Sequence, residues 1–372
     1  METYKFSELI EEVKLYNTEL QYGLDDIVGV TIEKGLIPTV ANLTQTALDK
    51  FYLVEPNTFV YNPRTHGVRL GMGYNQTSRT YITSWNNFAF RVKKEVLDIL
   101  NPDYLWLYFN REEWDRETNF RAWGSSTIVF SWNIFMEMSI NLPSKNYQDK
   151  IVRQYKVISD RISLKRKIND NLLATSQAIY KSWFVDFDPF GGVCPQNWLG
   201  GCVDDIAEFY DSMRKPLSSL ERADMERIYP YYGAVSIVDY VDDFIFDGEY
   251  LLVSEDGIYV VDENGHPLLQ HITGKFWANN HAHILKGKAG FNEDSLYLFL
   301  ANTNMTPIVT GAAQPKINQA NLKSFPITIP TSEVIENFNA IIQPFFDQRL
   351  TNEAEIKKLE NLKDLLLTRL VD

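Results

Sequence analysis

Phe135-Met136-Glu137-Met138-Ser139-Ile140-Asn141-Leu142-Pro143 lines up without a gap on Leu322-Lys323-Ser324-Phe325-Pro326-Ile327-Thr328-Ile329-Pro330, 187 residues further along the chain. Self-similarity at a fixed offset marks a duplicated architecture and outranks any local motif. Carried backward, the offset sets Gly124 on Gly311 and Phe130 on Ile317; carried forward, it sets Asp160 on Asp347 inside two segments of helical pattern. With small gaps the match continues upstream. Phe59-Val60-Tyr61-Asn62 falls on Leu251-Leu252-Val253-Ser254, and Asn86-Asn87-Phe88-Ala89-Phe90 on Asn279-Asn280-His281-Ala282-His283. Asp103-Tyr104-Leu105-Trp106-Leu107 falls on Asp294-Ser295-Leu296-Tyr297-Leu298. The chain reads as a globular module followed by a helix, twice.

The divisions are residues 1–143 (first module), 144–190 (first long helix), 191–330 (second module) and 331–372 (second long helix). Short β-rich runs at 58–61 and 250–253, and at 88–92 and 282–285, are bounded by Gly, Asn, Asp and Pro. Residues 97–109 and 296–301 read as helices, 123–130 and 310–318 as loops, and each module closes on a strand ending at Pro143 or Pro330. Each module is mixed α/β, and the fold class is α+β.

Beyond Pro143, Ile151, Tyr155, Ile158, Ile162, Leu172 and Ile179 recur at near-heptad spacing, with Lys165, Asn169 and Ser176 in the remaining seam positions. This predicts one helix over 148–183, about 54 Å long at 1.5 Å per residue. The second copy offers Phe338, Ile342, Phe345, Leu350, Ile356, Leu359, Leu362, Leu366 and Leu370, with a slip at Pro344 that predicts a kink or restart. A single stripe would be ordinary core packing; two at equivalent repeat positions predict that the helices pack on each other. Ile151, Tyr155, Ile158, Ile162, Leu172, Ile342, Phe345, Leu359 and Leu366 are the expected pairing residues.

With 372 residues, 45% hydrophobic and 23% charged, the chain has the length for two cored domains and is too apolar for disorder. Cys194 and Cys202 cannot staple a secreted scaffold, and no signal-peptide pattern opens the chain, so a reducing cytoplasm is expected. No apolar run approaches the roughly 18 residues of a membrane span. A net charge of -13 argues against nonspecific coating of phosphate backbones. Residues 144–190 alone are net basic, nine against five, through Lys145, Lys150, Arg153, Lys156, Arg161 and Lys165-Arg166-Lys167 among others, a pattern that usually marks a solvated helix face.

Catalytic sets are not found. Asn101-Pro102-Asp103-Tyr104 approaches the Asn-Pro-Pro-Tyr signature of amino-methyltransferases, but Asp103 replaces the second proline. Gly71-Met72-Gly73 lacks the further glycine and preceding strand of a nucleotide-binding turn, and no phosphate-cradling Gly-x-x-x-x-Gly-Lys-Ser/Thr loop occurs. The cysteines have no neighbouring Cys or His, His281 and His283 read as a half-buried packing face, and Pro102-Asp103 lacks the Glu-x-Lys of a metal nuclease. No metal or cofactor site follows, so the pattern is that of a non-catalytic recognition or scaffolding subunit.

The residues resemble the specificity (S) subunit of type I restriction-modification systems over essentially the full length. The resemblance is carried by Thr310-Gly311-Ala312-Ala313-Gln314-Pro315-Lys316-Ile317-Asn318, then Leu322 and Phe325 to Pro330. Tyr231-Tyr232-Gly233-Ala234, Phe246 to Gly257, and Trp198-Leu199 before Asp205-Ile206-Ala207 carry it too. In the first module Trp123-Gly124-Ser125-Ser126-Thr127-Ile128 stands where that family has a Gly-x-x-Gln-Pro core. The resemblance implies two target recognition domains separated by two long antiparallel coiled-coil-like helices, with pseudo-twofold symmetry, each domain reading half of a bipartite double-stranded DNA site through the major groove. It also implies that two modification (methyltransferase) subunits methylate adenine and that restriction/translocase subunits cleave, leaving this chain without cofactor or catalysis, in a bacterial or archaeal cytoplasm. The expected readers are polar loop residues: Asn62, Arg64, Arg69 and Arg79 with Ser125, Ser126 and Thr127 in the first module, and Ser254, Asp256, Gln314, Lys316 and Asn318 in the second. Arg reads guanine and Asn or Gln reads adenine by paired hydrogen bonds, while Gln314 alternatively fixes its own loop. The other reading is a helical adaptor that scaffolds partners without reading sequence.

Overall fold

The structure is a computed structural model that describes residues 1–39, 46–65, 69–124, 128–311 and 313–370. In the first copy of the repeated stretch, Ser139–Leu142 alternates exposed and buried side chains and pairs antiparallel with Glu2–Lys5, Tyr4 opposite Ile140. In the second copy Pro326–Ile329 pairs with Leu199–Cys202 in the same way. Each module thus begins and ends on neighbouring strands. By contact density the chain forms two units, Met1–Leu164 with Ile356–Asp372, and Lys165–Glu355.

In the first unit an antiparallel sheet has the order Ile10–Glu12, Phe88–Val92, Phe59–Tyr61, Met72–Tyr74. The second unit repeats that order with Ala207–Phe209, Ala282–Gly287, Phe246–Ser254 and Leu269–Ala278, then adds Tyr229–Tyr232 and Ile237–Val241. The register corrects one alignment. Phe88 pairs with Tyr61 as His283 pairs with Val253, so Phe88 corresponds to His283 and not to His281. The twin Asn pairs before both strands made the shorter offset look better, and a two-residue slip is easily missed because it keeps every side chain on its face.

The first core is aromatic: Phe6, Phe59, Tyr61, Phe90, Tyr104, Phe109, Trp114, Phe130 and Phe135 are all essentially buried. The second is mainly aliphatic, around Leu251, Val253, Leu285, Leu296, Leu298 and Ile317. The expected helix over 97–109 is instead a short 3-10 turn, Lys94–Val96, followed by Pro102–Phe109. Pro102 sits in the first turn and Asn101 caps it, accepting from the Asp103 amide at 2.8 Å, which is where Pro and Asn belong at a helix start. Its counterpart Glu293–Ala301 is capped by Asn292. The Asn-Pro-Asp-Tyr run is therefore structural, and the buried Tyr104 hydroxyl donates to the Leu370 carbonyl at 2.7 Å.

The two long helices are Lys145–Phe184 and Ser332–Thr368, 40 and 37 residues. The second runs through Pro344 without interruption; Pro344 is exposed, so the carbonyl its ring leaves unbonded can be hydrated. Because the helix continues, Ile335, Phe338, Ile342 and Phe346 form the buried stripe, and Phe346 replaces the expected Phe345, which is only half-buried. In the first unit Ile162 and Ile356 are nearly buried, Lys363 Nζ lies 5.1 Å over the Tyr155 ring, and Ile151 and Leu370 join the module core. Ile158, Leu359 and Leu366 are half-buried. In the second unit Tyr180 meets Phe338 with ring centroids 6.4 Å apart, and Leu172 is half-buried. There the seam turns polar. Asn352 Nδ2 donates to Asn169 Oδ1 at 2.8 Å, Lys165 Nζ donates to Asn352 Oδ1 at 2.9 Å and reaches Glu355 at 2.7 Å, and Ser176 is fully buried. In both units the helices run antiparallel. A satisfied polar layer in an apolar seam fixes register at a cost in stability.

Candidate nucleic-acid interface

In both modules the loop after the central strand meets a second loop through matching backbone bridges. Arg64 and Trp123 bridge to Val129; Asp256 and Thr310 bridge to Lys316. The Phe130 amide donates to the Pro63 carbonyl at 2.8 Å, as the Ile317 amide does to the Glu255 carbonyl, also at 2.8 Å. The same pair of loops has been built twice. Directly after each pair a helix begins on a side-chain cap, Ser131 for Trp132–Glu137 and Asn318 for Gln319–Lys323.

In the first module Asn62 Oδ1 accepts from the Arg64 amide at 3.0 Å, a local turn that leaves the Arg64 side chain exposed. Arg69 Nε lies 3.8 Å from Asp115, itself paired with buried Lys34 at 2.6 Å. Arg79 is ion-paired with Asp26, which holds that carboxyl below the usual range, and its guanidinium sits 5.4 Å over the Tyr81 ring. Arg79 is thus tied to the protein. Ser125, Ser126 and Thr127 lie outside the described residues.

In the second module Ser254 is fully buried at a strand end and offers no surface to a base edge. Asn318 is a helix cap, accepting from the Asn321 amide at 2.8 Å. Asp256 holds His281 Nδ1 at 2.5 Å. Lys316 Nζ reaches Glu255 at 2.9 Å, and this bond raises the Lys316 pKa. Burial works to raise the Glu255 pKa, but the hydrogen bonds from Arg214 and Lys316 outweigh it and hold the carboxyl down. Gln314 is exposed at the loop tip. Gly311 has φ +84°, and a Cβ there would come within 2.3 Å of the Gln314 carbonyl, so this tip requires glycine. Asp256, Gln314 and Lys316 are brought together; Ser254 and Asn318 serve the scaffold.

Sequence reasoning missed the large apolar side chains in these loops: Trp123 is 85% exposed, Ile258 and Tyr259 81% and 72%. Exposed aromatic rings beside polar loops can stack on bases or wedge between them. Trp123 stands next to Gly124 in the repeat, but nothing in its sequence context separates an exposed Trp from a buried one such as Trp114.

Two groups among the described residues gather ligand-type atoms within 4.8 Å of one another: Asp211, Glu255 and His283, and Glu249, His271 and Asp294. In the first, both ring nitrogens of His283 already hold acceptors. In the second, His271 lies between carboxylates, Nε2 at 2.6 Å from Glu249 and Nδ1 at 3.4 Å from Asp294, so each ring nitrogen faces its own carboxylate. Asp294 is buried with Oδ1 lacking a hydrogen bond. Burial first, then Glu249, Asp347 and Glu293, push its carboxyl up to about 7 against the pull of His271. A carboxyl with its folded pKa above its unfolded value binds protons more tightly when folded, so stability falls as pH rises from about 4 towards 7. Asp294→Asn should therefore stabilise this unit at pH 8, by about 1–2 kcal/mol after the lost His271 contact is counted, with no gain at pH 4.5. Thermal melts at the two pH values check it; an equal shift at both would refute the assignment.

The family described as the type I restriction modification DNA specificity domain matches residues 195–361. A Haemophilus influenzae protein provisionally given the name of a type I restriction enzyme specificity subunit is 38% identical over 132 residues, 36% of this chain and 33% of that one. The type I restriction enzyme MjaIX specificity subunit of Methanocaldococcus jannaschii is 23% identical over 329 residues, covering 82% of this chain and 75% of that one. The Escherichia coli EcoprrI specificity subunit is 27% identical over 143 residues, 38% of this chain and 34% of that one. The bacterial matches therefore span about a third of those relatives' lengths. The crystal structure of a type I restriction-modification S subunit from M. genitalium superposes with a TM-score of 0.56 at 14% identity, covering 100% of this chain and 96% of that one, which is a likeness of fold.

Proposed function

We propose that this chain, a member of the type I restriction-modification specificity-subunit family, reads a bipartite double-stranded DNA target, one half with each module. Residues 1–143 and 191–330 are the recognition domains, and residues 144–190 and 331–372 the helices that connect them. The observation that carries the reading is the duplicated loop pair, an identical framework with different side chains at its tips, as two readers of different words require. Arg64, Gln314 and Lys316 are the polar readers; Trp123 and Tyr259 add stacking surface. Lys316 must exchange Glu255 for a base or phosphate, so its net contribution is smaller than that of a solvated lysine.

The chain brings no reaction of its own. Modification subunits methylate and restriction/translocase subunits cleave, in the cytoplasm of a bacterium or archaeon. Among the described residues no helix is long and apolar enough to cross a membrane. The modification subunits dock on the helices, where Arg153, Gln154, Val157, Ile158, Leu362 and Leu366 line an apolar cavity of the first unit. Partner subunits also supply phosphate neutralisation that a chain of net charge -13 lacks.

Gel-shift competition with the purified methyltransferase complex and a randomised duplex pool tests this. Selection of a split sequence is expected, with Gln314→Ala weakening preference in one half by about 1–3 kcal/mol per lost paired contact. Retention without sequence preference would leave a scaffolding adaptor.

A further inference from the structure

We propose that His283 is a positioning residue for the second module, holding Lys316, Ile317 and Asn318 in their reading geometry by charge where the first module uses stacked rings. The inference rests on the DNA-reading function above.

The His283 side chain is fully buried on Ala282–Gly287. Nδ1 lies 2.6 Å from Asp211 Oδ2 and Nε2 lies 2.8 Å from the Ile317 carbonyl. A ring with an acceptor on each nitrogen donates twice, which only imidazolium can do. Asp211 accepts in addition from the Ile284 amide at 2.9 Å and from Gln319 Nε2 at 2.7 Å, with Arg214 at 3.4 Å. Glu255, 3.6 Å from His283 Nδ1, binds Arg214 at 2.6 Å and Lys316 at 2.9 Å. The backbone of Ile317 is thus held at both of its polar groups, its N–H by the Glu255 carbonyl and its C=O by His283, one residue beyond Lys316.

The repeat shows what this position does. His283 corresponds to Phe88 by strand register, and Ile317 and Gln319 correspond to Phe130 and Trp132 at the 187-residue offset. In the first module Phe88 stacks on Trp132 with centroids 6.0 Å apart and planes at 11°, and on Tyr61 at 5.2 Å and 15°. The same framework is closed once by rings and once by a charged network. Apolar packing would be at least as stable as a buried ion cluster, so what the charged version adds is direction: it holds one carbonyl at one place.

The test compares the full chain with His283→Gln, which keeps one donor, and with Gln319→Leu, which trims the network at its edge should the first variant fail to fold. Two readouts are used. One is hydrogen exchange at the Thr310, Lys316 and Ile317 amides. The other is sequence selection by the chain assembled with its methyltransferase partner, from duplexes randomised across both halves of the target. His283→Gln should speed exchange at the three amides about tenfold or more, the equivalent of one charge-assisted hydrogen bond. It should relax selection in one half of the target and leave the other unchanged; Gln319→Leu should do the same to a smaller degree. His283→Phe with Gln319→Trp, which rebuilds the first module's rings, should recover part of the protection. Unchanged exchange in both single variants overturns the clamp. Faster exchange with selection lost equally in both halves, or in neither, overturns the positioning role. If the unaltered assembly selects no sequence, the DNA-reading function fails, while the exchange data still decide the clamp.

Discussion

Replacing both Ile158 and Ile162 by Asp should unpair the long helices beside the first module and abolish assembly with the proposed methyltransferase partner. Ile162 is 5% exposed in the seam and Ile158 is half-buried there beside Leu362 and Leu366. Removing a buried isoleucine costs about 2–5 kcal/mol, and placing an uncompensated carboxylate in the gap adds to that. The pair should therefore cost well over 5 kcal/mol locally, comparable to the whole stability of a typical domain. The module core should survive, because Phe6, Trp114 and Phe135 lie inside the module and pack on one another, and Phe59 packs on Phe109 there. Near-ultraviolet circular dichroism would follow the rings, and size-exclusion chromatography with the partner would follow assembly. A double variant that still assembles at native affinity would show that the seam does not carry partner binding.

That seam was legible because helical spacing is a property of the chain itself. Polar Lys165, Asn169 and Ser176 were placed in it by phase alone, and Asn169 and Ser176 are buried and hydrogen-bonded. Phase failed at Pro344, where an expected break invited a shift from Phe346 to Phe345; an exposed proline is tolerated, and the stripe keeps one face at 338, 342 and 346. The duplication was legible too, down to the paired helix caps Ser131 and Asn318. Taken seriously, that correspondence would have removed Asn318 from the readers, since Asn before a helix is first a cap. Which of the other polar loop residues are free to read was not legible, for a more general reason. A polar loop residue reads the same in sequence whether it faces solvent, as Gln314 does, or is tied down by a carboxylate from a distant segment, as Arg79 is by Asp26 across 53 residues. Burial of Ser254 depends on the neighbouring strand, which no local pattern reveals.

Exchange of residues 191–330 for the corresponding stretch of one of the specificity subunits this chain resembles should rewrite one half of the proposed DNA target and leave the other half intact. The geometry of the chain ends favours such a graft. The module enters on Leu199–Cys202 and leaves on Pro326–Ile329, which are hydrogen-bonded neighbours, so both junctions lie together and an exchanged module carries its own closure. Its sheet, Ala207–Phe209 through Ile237–Val241, is wholly internal to the stretch. The critical join is with both long helices, where Tyr180 and Phe184 of the first and Ile335, Phe338, Ile342 and Phe346 of the second pack against the module core, so the donor must offer apolar residues of similar volume at Leu296, Leu298 and Phe299. Each mismatched base pair typically costs about 1–3 kcal/mol, so the preference for the old word should fall by about that amount for every base pair that differs from the new one. Mapping methylated adenines after expression with the partner subunits reads both halves at once. A change in both halves, or in neither, would mean that the two modules do not recognise DNA independently, and the duplication would then need a different explanation from divided reading.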